Sequence, residues 1–187
     1  MDDTPRIYVA SLSDYNAGRL HGEWVDATQD PEDILTDIQE MLRASPSNRR
    51  RGVQVAVPRP KQVAEEWAIH DFENFAGLQL NEHESLADIS RAAQFIEEYG
   101  DRAGPVIEHV GGLSYLDEAE DLLDDKYMGS YEDLEEWAVQ ELEDLIEALP
   151  EQLRYYFDYK SFARDAEMSG EIFSIEAEGE LHIFSNR

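Results

Sequence analysis

The chain has 187 residues, a formal net charge of -28 and a pI near 4.2. This negative charge argues against nucleic acid as a direct ligand and favours a cationic partner, or a partner that normally holds polyanions. It contains no cysteine, which excludes disulfides and thiolate metal sites and is compatible with a reducing cytoplasm. No apolar run approaches the roughly 20 residues of a membrane span, and the acidic start MDDTPR is unlike a signal peptide, so we expect a cytoplasmic protein without a membrane partner.

Residues 1–60 are predicted to form a small mixed α/β domain. RIYVASL at 6–12 and RLHGEWVDA at 19–27 have strand patterns and are separated by the loop SDYNAG, and a further strand, GVQVAV, follows the arginine run at 49–51. Asp30 and Pro31 begin a helix between them. Its apolar face is formed by Ile34, Leu35, Ile38, Met41 and Leu42.

Residues 61–103 are predicted to form a helical middle domain that follows the linker PRPK at 58–61. In VAEEWAIHDFENFAGL, the side chains of Val63, Ala64, Trp67, Ala68 and Phe72 approximate a helical face. A second helix, SLADISRAAQFIEEYG, should be capped by its first serine and end at its last glycine.

Residues 104–187 are predicted to form an acidic α+β domain. A short PVIEHV helix comes first and a β-hairpin, EIFSIEAEGELHIFS, comes last. Between them lies the acidic segment, defined as residues 117–151, which holds fifteen carboxylates against one base, Lys126. Apolar residues at helical spacing, from Leu116 to Tyr127 and from Leu134 to Leu149, predict two amphipathic helices in this segment. Their predicted N-caps are Ser114 and Ser130, and the second should end at Pro150.

The acidic residues are spread unevenly along the chain. Residues 1–60 hold ten acids and seven arginines, a net charge of -3, whereas residues 61–187 hold 33 acids and eight bases, a net charge of -25. Adaptation of an ordinary protein to high salt would be expected to acidify every domain. The asymmetry therefore favours a functional acidic surface. Within the two predicted acidic helices, twelve acidic pairs lie three or four residues apart and cost about 3 to 4 kcal/mol at roughly 0.3 kcal/mol each.

Motifs for catalysis or cofactor binding are missing from the sequence. The five histidines form no HExxH motif, and the nearest approach to an EF-hand, from Asp124 to Glu135, places Lys126 and Met128 at ligand positions. No P-loop, GxGxxG or GxSxG motif occurs. We expect no cofactor, no metal and no enzymatic activity. The tryptophans and the aromatic cluster at 155–159 indicate a core or a subunit interface.

Surface carboxylates at this density can substitute for phosphates. Duplex DNA carries one charge per about 1.7 Å and a helix rises about 1.5 Å per residue, so the six acids at 117–125 span about 13 Å, where DNA offers about eight charges. A groove lined with Lys and Arg would accept such a surface. An acidic chaperone or inhibitor of another basic protein is the alternative, and a carboxylate hydrolase is the least favoured hypothesis.

Three separated segments resemble one protein family. They are IYVASLSDYNAGRLHGEW at 7–24, EEWAIHDFENF at 65–75 and VIEHVGGLSYLDEAEDLLDDKYMGSYEDLEEWA at 106–138, and the closing YYFDYKSFARD and hairpin extend the match over nearly the whole chain. Together they are similar to the ArdA-type antirestriction proteins.

The resemblance implies an elongated, three-domain, homodimeric mimic of B-form DNA. Such a protein occupies the DNA-binding groove of the methyltransferase core of type I restriction-modification enzymes and protects incoming mobile DNA, without catalysis or cofactor. The family's antirestriction motif matches roughly residues 116–137, and its dimer contact lies in the third domain. The predicted phosphate mimics are Asp117, Glu118, Glu120, Asp121, Asp124, Asp125, Glu132, Asp133, Glu135, Glu136, Glu141, Glu143, Asp144 and Glu147.

Overall fold

The computed structural model describes residues 3–46, 67–177 and 179–186, and the chain divides into two compact units, Met1–Gly100 and Asp101–Arg187. Within the described residues the fold is mixed α+β, with one three-stranded sheet in each unit. The predicted three-domain organisation is not confirmed. The arginine run, the GVQVAV strand and the PRPK linker lie outside the described residues, as does the predicted boundary at residue 60.

The first unit contains a sheet and two long helices. In chain order its described elements are β1 (Arg6–Ser11), α1 (Leu12–Asn16), β2 (Gly22–Asp26), α2 (Pro31–Ala44), β3 (Trp67–Glu73) and α3 (Leu86–Tyr99). The sheet order is β2-β1-β3, and both pairings with β1 are antiparallel. Gly22 is needed beside β1, because a Cβ there would lie 2.5 Å from the carbonyl oxygen of Val9.

The core of this unit follows the predicted periodicities. Ile7 and Val9 of β1 are fully buried, as are Ile34 and Ile38 of α2 and Ile89 of α3. Met41 and Leu42 are also buried, which confirms most of the predicted face of α2. Helix α3 begins and ends where the sequence predicts: the hydroxyl of Ser85 accepts a hydrogen bond from the backbone N–H of Ala87, and Gly100 is the C-cap.

Two local predictions in the first unit are wrong. Residues 67–73 form strand β3 instead of a helix, since Trp67, Ala68 and Phe72 pair with β1 in a register that a helical interpretation of their spacing misses. The middle of the chain is therefore not all helical. Part of the predicted loop SDYNAG forms the short helix α1, because the hydroxyl of Ser11 caps it by accepting from the backbone N–H of Asp14.

The second unit alternates short helices with a small sheet. Its regular elements are α4 (Ala103–Val110), α5 (Leu116–Asp121), β4 (Tyr127–Tyr131), α6 (Leu134–Glu141), α7 (Glu143–Glu147), α8 (Glu151–Arg154), α9 (Tyr159–Met168), β5 (Ile172–Ala177) and β6 (Glu180–Ser185). A π-helical turn, Leu122–Lys126, joins α5 to β4. The sheet order is β4-β6-β5, with β6 in the centre, and the C-terminal hairpin is confirmed.

The acidic helices differ from the prediction in where they begin and end. The first stops before Tyr127, which is the first residue of β4 and not part of a helical face, and its N-cap is Tyr115 rather than Ser114. The second begins after Asp133, because Ser130 lies within β4. It is interrupted at Leu142, and Pro150 caps the next short helix.

No helix in the described part of the chain is long and apolar enough to cross a membrane.

Candidate functional site: an acidic surface in the second unit

All fourteen predicted phosphate mimics are exposed to solvent. They lie on α5, on the π-helical turn, at the start of α6, at its last residue and on α7. Strand β4, between the two groups, carries none. The structure therefore displays two consecutive groups of carboxylates: six residues from Asp117 to Asp125 and eight from Glu132 to Glu147.

The apolar residues of the same segment fix these elements to the core of the unit. Leu116 and Ala119 of α5 and Leu123 of the π-helical turn are buried. In α6, Trp137 and Ala138 pack in a cluster with residues of α9 and of the sheet, and the ring of Trp137 stacks on Phe162 at 6.0 Å. The exposed carboxylates are thus carried by a packed framework, as the amphipathic pattern predicts.

Two of the fourteen carboxylates also build the start of α6. The backbone N–H of Glu136 donates to the carboxylate of Asp133 (2.9 Å), and the backbone N–H of Glu132 donates to that of Glu136 (2.7 Å). The first bond satisfies an N–H group that a helix start leaves unpaired, and the second ties the residue before the N-cap to the first turn. Both place negative charge at the positive end of the helix dipole. Asp133 and Glu136 therefore have a structural role in addition to their charge.

Strand β4, between the two groups of carboxylates, holds a glycine in a backbone conformation that other residues rarely adopt. Gly129 has φ of 141°, and a Cβ there would come within 3.0 Å of the hydroxyl oxygen of Tyr131. The register against β6 shifts between Tyr127 and Gly129. Burial, and then electrostatic interaction with Glu141, Tyr127 and Glu136, raises the pKa of the Tyr131 phenol. The phenol of Tyr131 therefore stays neutral.

The net charge of the chain changes directly after the acidic segment. Residues 152–168, here the neutral segment, carry three acids and three bases, Arg154, Lys160 and Arg164, a net charge of zero against -14 for residues 117–151. Large aromatic side chains are exposed in this segment: Tyr155 and Tyr156 expose 82% and 86% of their surface. Sequence reasoning singled out this aromatic cluster but not its charge balance.

A buried histidine lies in β6, the strand that pairs with β4. His182 of β6 is 8% exposed, and its Nδ1 is 2.9 Å from the hydroxyl of Tyr127, to which it is hydrogen-bonded. The guanidinium of Arg102 lies 4.9 Å from the centre of the Tyr127 ring. Burial, and then the positive charge of Arg102, lowers the pKa of His182, which keeps it neutral. The sequence offers no sign that this histidine differs from the other four.

Among residues 3–46, 67–177 and 179–186, no group of three or more histidine, aspartate or glutamate side chains is arranged to hold a metal ion.

Comparison with protein families matches residues 7–179 to the family described as antirestriction protein (ArdA). Comparison with curated proteins finds no match.

Proposed function

The chain belongs to the ArdA family of antirestriction proteins, and we propose that it acts by placing its acidic segment in a protein groove that normally holds DNA. The family assigns the chain to the inhibition of restriction-modification systems. Within that class, we propose the methyltransferase core of type I enzymes as the target and protection of incoming mobile DNA in the cytoplasm as the outcome. Binding alone accounts for this activity, and no catalytic step is needed.

The exposure of all fourteen carboxylates is the observation that carries the proposal. Carboxylates held by a packed framework present charge without the entropic cost of ordering a flexible tail. A Lys- and Arg-lined groove binds DNA largely through its phosphates, and that attraction is nonspecific in sequence and weakens with salt. A surface of similar charge density would be held by the same groove residues and exclude the duplex.

The charges act collectively in this proposal. Exposed ion pairs contribute about 0.2 to 1 kcal/mol each, so the affinity should come from many weak contacts. Removing one carboxylate would then weaken binding slightly, and removing several would weaken it severely. A collapse of binding in a correctly folded single mutant would contradict this distribution.

We also propose that the chain forms a homodimer through the neutral segment. Two copies of a chain with a net charge of -28 repel each other, so their contact should lie where charge is balanced and apolar surface is exposed. The neutral segment meets both conditions, with Tyr155 and Tyr156 as its largest exposed aromatic groups. It lies in the C-terminal part of the chain, where the family resemblance implies the dimer contact.

The test is a competition experiment. A labelled target duplex is bound to a purified type I methyltransferase core, and this protein is titrated in at low and at moderate salt. We expect stoichiometric displacement of the duplex that weakens as salt rises. If several such cores show no displacement, the acidic segment must serve another basic partner, and the groove proposal is wrong.

A further inference from the structure

We propose that a pocket beside the acidic segment receives one arginine side chain of the partner protein. This inference rests on the proposed function, because it names a specific contact within the same acidic surface. It adds a point of directional recognition to a surface that otherwise attracts cations through its overall charge. The residues that carry it come from the end of α4, from α5 with the π-helical turn, and from β5.

The pocket has a volume of about 420 Å³ and an aromatic wall. The imidazole of His109 stacks on the ring of Phe173 with a centroid distance of 4.7 Å and an angle of 4°. Phe173 in turn stacks on Phe184 at 5.1 Å and 11°. Three planar rings thus form one parallel stack, and it ends at His109, which is exposed.

The acidic wall of the pocket is formed by Glu118 and Asp121 of α5. These residues are three apart in the helix and both are exposed, so their carboxylates project from the same side of α5. Half-buried Val110 and Leu122 also line the pocket and supply apolar surface. The pocket therefore combines a flat ring, apolar surface and two anionic acceptors.

An arginine side chain satisfies each of these features. Its planar guanidinium stacks on aromatic rings and donates hydrogen bonds to carboxylates in a fork, while its methylene groups cover apolar surface. A lysine ammonium has no flat face to stack and is more strongly hydrated. Arginine is also enriched among the residues that dominate protein interfaces, where a side chain fills a pocket on the partner.

Lys126 opposes this contact, because it also lines the pocket and brings a positive charge to it. Its removal should therefore strengthen binding of an arginine side chain, whereas removal of the His109 ring should weaken it. Removal of the His109 ring leaves every carboxylate in place, so this change separates recognition by the pocket from attraction to the whole surface.

The first experiment uses the wild-type protein and small probes. N-acetylarginine amide and N-acetyllysine amide are titrated separately at millimolar concentrations, and the chemical shifts of the histidine imidazoles are followed by NMR. We expect arginine to shift the His109 signals at least several-fold more than lysine does, and to leave those of exposed His83 in place. Equal shifts from both probes, or none at His109, would overturn the inference.

The second experiment places the pocket in the DNA competition assay. His109→Ala should raise the concentration needed to displace the duplex about tenfold, a typical effect for a cation–aromatic contact at a filled pocket. His109→Phe keeps a flat ring and should therefore restore displacement. His83→Ala, the same change at an exposed residue of the first unit, serves as the control. If His109→Ala competes like the wild type, the pocket is not used and the proposed function stands. If the wild type displaces no duplex, the proposed function fails and the NMR titration still tests the pocket.

Discussion

The acidic segment and the neutral segment are adjacent in the chain and belong to the same compact unit, yet their surfaces are opposite in character. Residues 117–151 carry a net charge of -14, and residues 152–168 carry none. The first exposes fourteen predicted phosphate mimics, whereas the second exposes Leu153, Tyr155, Tyr156 and Met168, each by more than half of its surface. The difference shows that two adjacent segments of a strongly acidic chain can differ sharply in net charge and in exposed apolar surface.

Electrostatics explains why the two surfaces should have different partners. Two unit charges 4 Å apart in water interact by about 1 kcal/mol, so a contact between two acidic segments would face repulsion from many pairs. A contact between neutral segments avoids that repulsion and buries aromatic side chains, which dominate interface energies. Mutations that alter one surface at a time test this division.

The largest effect is expected from neutralising the acidic segment. Changing Glu118, Glu120, Glu135, Glu141, Glu143 and Glu147 to Gln removes six charges and leaves the capping residues Asp133 and Glu136 in place. At about 0.2 to 1 kcal/mol per exposed pair, we expect the concentration that displaces DNA to rise on the order of a hundredfold or more, with a flatter dependence on salt. The measurement is competition against a labelled duplex.

A variant of the first unit supplies the matched control for that experiment. Six exposed glutamates there can be changed to Gln with the same loss of charge: Glu23, Glu32, Glu40, Glu82, Glu97 and Glu98. Because long-range attraction between exposed charges is screened beyond about 10 Å at 0.1 M salt, we expect a much smaller effect from this control at moderate salt. Equal losses in the two variants would show that position does not matter and that the acidic segment has no special role.

The next effect is expected at the neutral segment. Replacing Tyr155 and Tyr156 with Ala removes the two largest exposed aromatic groups, which should shift a dimer to monomers by roughly a hundredfold in its dissociation constant. Sedimentation equilibrium measures the change. Tyr115→Ala is the control, since this tyrosine is 48% exposed but lies outside the neutral segment. A double mutant that remains as dimeric as the wild type would place the contact elsewhere.

Sequence reasoning located the elements where one signal dominated. The apolar face of α2, the serine cap and glycine end of α3 and the C-terminal hairpin all follow from local patterns, and all are present. The exposure of the fourteen carboxylates also follows, because an amphipathic helix places charge opposite its apolar stripe. In these regions the local preference and the packed structure agree.

The failures arose where pairing or packing outweighed the local pattern. The spacing of Trp67, Ala68 and Phe72 approximates a helix, but those residues are held by β1, a strand about sixty residues earlier. Tyr127 fits the apolar face of the preceding helix, and yet it pairs with Phe184 of β6. Tertiary partners of this kind leave no trace at helical or strand spacing. The lowering of the His182 pKa by burial, and then by the charge of Arg102, is equally invisible in the sequence.

A smaller effect is expected at the start of α6, where Asp133 is part of the acidic surface and also caps the helix. Asp133→Ala removes the cap that accepts from the backbone N–H of Glu136, and should lower the free energy of unfolding by about 1 kcal/mol. Asp133→Asn loses the same charge but keeps a capping oxygen, so it should retain most of that stability. Urea denaturation compares them. If both variants lose the same stability, charge and not capping is responsible.

The smallest effect is expected from pH, through a histidine in the buried interior of the second unit. His182 has a pKa below its ordinary value of 6.5, owing to burial and then to Arg102, despite a nearby charge on Glu180 that acts the other way. The folded state thus resists a proton that the unfolded chain takes up, so the protein should lose stability as pH falls below about 6.5 towards the lowered value. Thermal unfolding from pH 7 to 5 measures this loss of stability, and His182→Gln should abolish it. If that variant shows the same fall in melting temperature over this range, the acid sensitivity comes from a group other than His182.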